Sequence, residues 1–386
     1  MRIAIVRGPY LNKPEMQSFE PLLDDPRFSL CAVATPSVRK GDDLRIPIVR
    51  LHSPESFASS LAKPFGDSVE LALRGLGFSH YMFGMENILD SADVIHTVET
   101  VSAFSLQCAR YAERSKKPLL VTHWENIPFN YEERVVVRRI RRVVRNATSL
   151  FLVPAMPSRA ALVCEGVEED RIQLIRPGVD LGHFSPREGD SPLRRQLNLP
   201  AETRIVLFAG RLEWEKGIFD LLDAFTTALE RLTPKPFLLI VGDGTKRQAV
   251  EDVSRMPALR EHCQVVRRVP YSEMPTFHRA ADVAVVPSRR AQHWEEQFGM
   301  VVAEAMASGV AVIGSDSGAI PEVVGKAGVI FPAGNRAALA EAICSLLSDD
   351  AYRTSLGNAA RQRALDVLDA RRAARDLASV YARFSP

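Results

Sequence analysis

Short runs rich in Val, Ile and Leu recur along the chain, each followed by a longer stretch whose apolar residues fall at helical spacing. The runs lie at 2–6, 30–34, 94–98, 119–123 and 150–153, then at 205–209, 238–241, 265–269, 283–286, 310–314 and 329–331. Several are apolar without interruption, as in strands covered on both faces of a parallel sheet. Their alternation with helical stretches predicts βαβ units. The pattern pauses once, over 177–200, where proline and mixed charge accumulate. It therefore predicts an α/β protein of two doubly wound, Rossmann-like domains facing each other across a cleft. The expected boundaries are 1–180 for the first domain, 181–200 for a linker and 201–365 for the second domain. A final helix over 366–386 is a candidate to pack back on the first domain. Sheets of this kind bind ligands at the carboxyl ends of their strands, so functional residues are expected just after strands.

Composition narrows the class. The chain has 386 residues, 46% hydrophobic and 25% charged. That excludes a disordered, collagen-like or disulfide-framework protein. No run approaches the ~18 apolar residues of a membrane span. The opening MRIAIVRG reads as a first strand rather than a leader. Charge is balanced, with 49 basic and 47 acidic residues, which argues against nucleic acid as the main partner. The 5 cysteines (31, 108, 164, 263 and 344) are widely spaced. They read as buried thiols of a reducing, cytoplasmic compartment. The stretch 132–145, EERVVVRRIRRVVR, reads as an amphipathic helix. Val136, Ile140, Val143 and Val144 share one face, with Arg134, Arg138, Arg141, Arg142 and Arg145 elsewhere. Packing on its own sheet with a solvated basic face is the favoured reading; contact with an anionic membrane surface is the alternative.

Two common nucleotide motifs are missing. The string Gly242-Asp243-Gly244-Thr245-Lys246-Arg247 lacks the third glycine of a dinucleotide fingerprint, and Gly325-Lys326 is followed by Ala327, so there is no P-loop. No D-x-D triplet occurs, and no bound metal is expected.

Two other segments carry chemistry. Gly210-Arg211-Leu212-Glu213-Trp214-Glu215-Lys216-Gly217 follows one strand and precedes a helix starting near Ile218. Its glycines let backbone approach a ligand, and Arg211 and Lys216 can converge on one anion. The second segment, Glu296-Gln297-Phe298-Gly299-Met300-Val301-Val302-Ala303-Glu304, reads as a helix over 298–307. Acids eight residues apart on a helix lie ~12 Å apart, the reach from a sugar ring across a diphosphate to a ribose. A helix start near Gly299 and Met300 suits phosphate. Glu304, flanked by apolar residues, is expected to face inward, where an acid needs partners.

In these strings the second half resembles the retaining glycosyltransferases of family 4, which have the GT-B fold. The matching strings are GRLEWEKG, IVGDG, VPYSEMPTFHRAADVAVVPS, WEEQFGMVVAEAMASGVAVIGSDSG and PEVV, over about 204–324. The resemblance implies a nucleotide-diphosphate sugar donor, UDP-linked before GDP-linked, held mainly by this half. It carries over Arg211 and Lys216 as diphosphate ligands and Glu304 as the ribose ligand. Glu296, Phe298, Gly299, Met300 and Val301 become the donor-sugar pocket, with Gly210 and Gly242 beside it. Backbone at Val269, Pro270 and Tyr271 would hold the base.

The first half resembles the family more loosely. His123, after the strand at 119–123, matches a histidine that faces the donor sugar and assists catalysis. Gly8 alone would meet the donor phosphate where many relatives have a Gly-Gly pair, and Pro9 removes one backbone donor there. His96, Glu99 and Tyr10 are acceptor-side candidates, and Trp294 is either a sugar-pocket residue or a packing residue. The expected reaction is metal-independent glycosyl transfer with retention, probing no particular acceptor: a glycan, a lipid-linked chain and a small molecule all fit. Rival readings are an epimerase, hydrolase or phosphorylase on the same fold, and a non-catalytic nucleotide-sugar-binding protein.

Overall fold

The computed structural model describes residues 1–36, 44–58, 78–186, 189 and 191–385. Met1–Pro177 with Ala370–Pro386 form one compact unit, and Gly178–Asp369 form the other. The change of unit falls at Pro177–Gly178; positions 187, 188 and 190 of the expected linker lie outside the described residues.

Among the described residues the first unit has seven strands: β1 (Arg2–Gly8), β2 (Ser29–Ala34), β3 (Ile48–Arg50), β4 (Val94–Val98), β5 (Leu119–Thr122), β6 (Leu150–Val153) and β7 (Ile172–Leu174). They pair in parallel in the order β3-β2-β1-β4-β5-β6-β7. The order reverses between β1 and β4, the switch point of a Rossmann-type sheet. β3 and β7 were not legible as apolar runs: each has three residues, with Val49 and Gln173 only half-buried. The strands send alternate residues to two cores. Ala4, Val6, Ile95 and Val121 pack on one side; Ile3, Ile5, Val94 and Leu120 pack on the other.

The chain's last helix, Ala370–Ala382, completes that second core with Ala374, Leu377, Val380 and Tyr381. The Tyr381 hydroxyl lies 2.6 Å from Nδ1 of His96, whose Nε2 lies 2.7 Å from Thr122 Oγ1. Tyr381→Phe removes one partner of a buried imidazole and should cost ~1–3 kcal/mol. Thermal unfolding should then begin several degrees lower; an unchanged Tm would show that this bond does not tie the helix down.

The basic stretch forms the helix Val135–Ala147. Ile140 and Val144 are buried, but Val136 is 37% exposed, so it does not belong to the packed stripe. Arg141 is fully buried, not solvated. It donates to the Asn130 carbonyl at 2.7 Å and pairs with Glu165 and Glu132. Arg145 pairs with the same two acids. Two of the arginines thus face an internal charge network, which accounts for them without a membrane. Among the described residues no helix is long and apolar enough to cross a membrane. Cys108 and Cys344 are buried, Cys31 and Cys263 are half-buried, and Cys164 is exposed, against the expectation that all five lie inside.

The second unit repeats the plan with six parallel strands: β8 (Ile205–Ala209), β9 (Phe237–Val241), β10 (Cys263–Val266), β11 (Val283–Val286), β12 (Ala311–Ser315) and β13 (Val329–Phe331). Their order is β10-β9-β8-β11-β12-β13, so the switch point lies between β8 and β11. A core of Val206, Phe208, Leu221, Phe225, Ile240, Val285 and Ile313 joins the sheet to the helix Ile218–Arg231.

Candidate active site

The loops after β8 and β11 emerge side by side at the second unit's switch point, where a doubly wound sheet presents its ligand site. The β8 loop holds Gly210 and Arg211 and runs through a short 3-10 turn, Trp214–Lys216, into the helix Ile218–Arg231. It is tied to the loop after β9. Glu213 accepts from the Thr245 amide at 2.8 Å and the Thr245 hydroxyl at 2.5 Å. Gly242 packs so closely on the Gly210 carbonyl that a Cβ would sit 1.8 Å from that oxygen.

The central contact joins the two expected motifs. Lys216 Nζ donates to Glu296 Oε2 at 2.7 Å, and the Ser288 hydroxyl donates to the same oxygen at 2.6 Å. Glu296 is buried. Burial alone would raise its pKa, but the Lys216 charge and hydrogen bond, the Ser288 bond and the Arg211 charge together hold it below the usual value. Lys216 Nζ also sits 4.7 Å from the centroid of the Trp294 ring, so Trp294 is a cation–π partner of this cation. Arg211 is exposed and pairs with Glu215 at 3.2 Å.

The helix expected at 298–307 spans Met300–Ala307, with Gly299 as its N-cap at φ +83. Glu296 precedes it, so the two acids are not one helical face and the helix-rise estimate of their separation does not apply. Glu296 is held by backbone instead: its carbonyl accepts from Ala319 at 2.9 Å, and Gly318 lies so close that a Cβ would be 1.9 Å from that oxygen. Phe298 and Gly299 are buried while Met300 and Val301 are half-buried at the helix start, where the axial dipole favours an anion.

Glu304 faces inward, 3% exposed. Its Oε1 accepts from the Tyr271 hydroxyl at 2.8 Å, and its Oε2 lies 3.5 Å from Nε2 of the fully buried His278. β10 ends at Val266, short of the expected 269, so Val269, Pro270 and Tyr271 form a loop entering a 3-10 turn. Tyr271 meets Glu304 through its side chain, a contact its sequence neighbourhood does not announce. Ser288 and His278 were also missed, as was Ser317, whose hydroxyl accepts from the Glu296 amide at 3.3 Å. Ser288 and Ser317 follow strands as unremarkable polar residues, and His278 sits in a helix that reads as packing.

In the first unit, His123 follows β5 and is fully buried; its Nδ1 lies 3.2 Å from Glu99 Oε2. Glu99, expected beside His96, serves His123. His96 is corrected from an acceptor-side candidate to a core residue. Both its ring nitrogens have partners, and burial, then the Arg7 charge, push its pKa well below the usual value. Tyr10 is exposed at 51%, with its ring edge-on to His80. At Gly8 the space of a missing side chain is filled by the Phe104 ring, 2.8 Å from where Cβ would lie. The demand for glycine there is thus met by packing within the unit.

Two parallel-sheet, Rossmann-like units in one chain are the GT-B class of fold. Solved structures bear this out over nearly the whole chain. An Anabaena protein, Alr3699/HepE, crystallised with UDP and glucose, is 18% identical with TM-score 0.77 and covers 99% of this chain and 100% of its own. Sucrose-phosphate synthase from Thermosynechococcus elongatus is 22% identical with TM-score 0.74, covering 99% and 98%. Residues 190–363 match the family described as glycosyl transferases group 1. Among curated relatives, a D-inositol 3-phosphate glycosyltransferase of Corynebacterium urealyticum is 31% identical, over 59% of this chain and 55% of its own. A glycogen synthase of Mycobacterium tuberculosis is 32% identical, over 62% and 55%. The chain spans about half the length of the curated relatives it matches.

Proposed function

We propose that the chain is a retaining glycosyltransferase of family 4, working in a reducing, cytoplasmic compartment. It moves a sugar from a nucleotide-diphosphate donor to an acceptor hydroxyl without a metal. The observation that carries this reading is the Lys216–Glu296 pair at the β8/β11 switch point, beside the start of the helix Met300–Ala307. A cation for a diphosphate, a carboxylate for sugar hydroxyls and a helix dipole for phosphate meet there. Glu304 supplies a further acceptor for ribose hydroxyls. UDP is the favoured nucleotide, in keeping with the Anabaena protein solved with UDP and glucose.

In the proposed step the bond from C1 of the sugar to the diphosphate oxygen breaks, and the bond from C1 to the acceptor oxygen forms on the same face. The acceptor proton passes to the departing phosphate. Negative charge grows on the diphosphate as the bond breaks, so Arg211, Lys216 and the helix start stabilise the transition state more than the ground state. An ammonium has three N–H donors, so bonding Glu296 does not exhaust Lys216.

Turnover of UDP-sugars with a panel of glycan, lipid-linked and small-molecule acceptors tests this. The expected result is nucleotide release that depends on acceptor, and a product whose anomeric proton shows the donor's configuration. Release that ignores every acceptor would indicate a hydrolase, and an isomerised donor an epimerase.

A further inference from the structure

The β4 and β5 strand ends carry a feature the proposed chemistry above does not use. Glu99, directly after β4, has φ +58, a left-handed conformation rare for a side chain of this kind. Such strain persists where surroundings enforce it, often at functional sites. Here the Glu99 amide donates to the Thr122 carbonyl at 2.9 Å, locking the end of β4 to the end of β5. The carboxylate is thereby turned onto the residues after β5. Oε1 accepts from the Trp124 amide at 2.8 Å, and Oε2 lies 3.2 Å from His123 Nδ1.

His123 itself is fully buried, with its ring edge-on to Phe151. Among the described residues its Nε2 has no hydrogen-bond partner, and Nδ1, though close to Glu99, is not yet well aligned with it. A buried imidazole nitrogen without a partner is costly, and catalytic hydrogen bonds often tighten only when substrate arrives. The neighbouring acid, Glu125, is committed elsewhere: it accepts from the Ile127 amide at 3.1 Å and from Asn130 at 2.7 Å.

We infer that Glu99 is a positioning residue: it holds the proton of His123 on Nδ1 and so presents Nε2 as a hydrogen-bond acceptor for a substrate hydroxyl. This rests on the glycosyltransferase reading for the identity of that substrate, but not for the tautomer. A carboxylate only accepts, so the Nδ1 that faces it must donate. In the neutral imidazole Nε2 then carries the lone pair, and the group it recognises is an O–H of a sugar rather than a phosphate oxygen.

Glu99→Gln tests this at nearly constant volume. A glutamine amide has one oxygen, which the Trp124 N–H requires, so its NH2 turns toward His123. Nδ1 must then accept, and the proton moves to Nε2. Long-range 15N–1H spectra, assigned with His123→Asn, read which nitrogen is protonated, independently of any turnover. The expected result is Nδ1–H in the wild type and Nε2–H in Glu99→Gln, with kcat lowered ~10²-fold and donor KM little changed. Nε2–H in the wild type overturns the inference even if the variant fails to fold. An unmoved tautomer in a folded Glu99→Gln overturns it too. A moved tautomer with wild-type kcat overturns the substrate-hydroxyl role. If the wild type shows Nδ1–H but no glycosyl transfer at all, the placement of the proton stands and the functional reading fails separately.

Discussion

Lys216→Met should lower kcat ~10²- to 10³-fold, the loss seen when one preorganised electrostatic donor is removed from a transition state. Methionine keeps the stem but removes the charge that meets Glu296 at 2.7 Å and the cation above Trp294. The same change should lower stability. Breaking a fully buried ion pair costs ~3–5 kcal/mol; Lys216 keeps 19% side-chain exposure, so the expected loss is smaller. Its pH dependence has a definite sign. In the wild type Glu296 is held below its usual pKa. Its contribution is therefore present above the unfolded carboxyl value of ~4.3 and is lost as pH falls through the native value. Burial is already the largest single influence, and Lys216 supplies the two largest that oppose it; without them the pKa rises, so the variant is destabilised while Glu296 is charged and relieved as it protonates. The gap in Tm between the two proteins should be widest near neutrality and close in acid. Parallel curves across that range would mean that the pair does not couple to folding.

Much of this site was legible because it rests on local patterns. The strands at 150–153, 205–209, 283–286 and 329–331 match the structure end for end, since uninterrupted apolar runs leave little choice in a parallel sheet; the strand at 94–98 matches too, although His96 and Thr97 interrupt its run. The glycine-rich loop and the two acids after β11 were visible for the same reason: each follows such a strand. What escaped depends on contacts between distant segments. β3 and β7 are short edge strands with weak apolar signals. Tyr271 reaches Glu304 from 33 residues away, and Lys216 reaches Glu296 from 80. No periodicity encodes such pairings. His96 misled because a strand-end histidine looks exposed until the helix Ala370–Ala382, far along the chain, delivers Tyr381 to it. Glu99 was read with the wrong histidine because its φ of +58 turns its side chain toward β5, not back along β4.

Glu304→Ala carries the second large effect. Glu304 is 3% exposed; the Tyr271 hydroxyl bonds one of its carboxylate oxygens at 2.8 Å, and the other lies 3.5 Å from His278 Nε2. That preorganisation means little of its orientation has to be gained when a ribose arrives. A hydrogen bond to a charged group contributes ~1.5–3 kcal/mol, so two ribose hydroxyls on this carboxylate account for at least ~10²-fold in donor Kd. Glu304→Gln keeps one acceptor oxygen and should fall between wild type and alanine. A full-affinity alanine variant would remove Glu304 from the donor site.

Nucleotide binding to the second unit is the claim on which everything else stands. The direct test is the thermal stability of the wild type and Glu304→Ala with UDP, GDP, ADP and their sugar conjugates. At ~100 Kd a ligand adds ~2.7 kcal/mol to the folded state. The expected result is that one nucleotide class, uridine first, raises the wild-type Tm by several degrees while Glu304→Ala loses most of that shift. A well-folded wild type whose Tm no nucleotide or nucleotide-sugar moves would contradict the account.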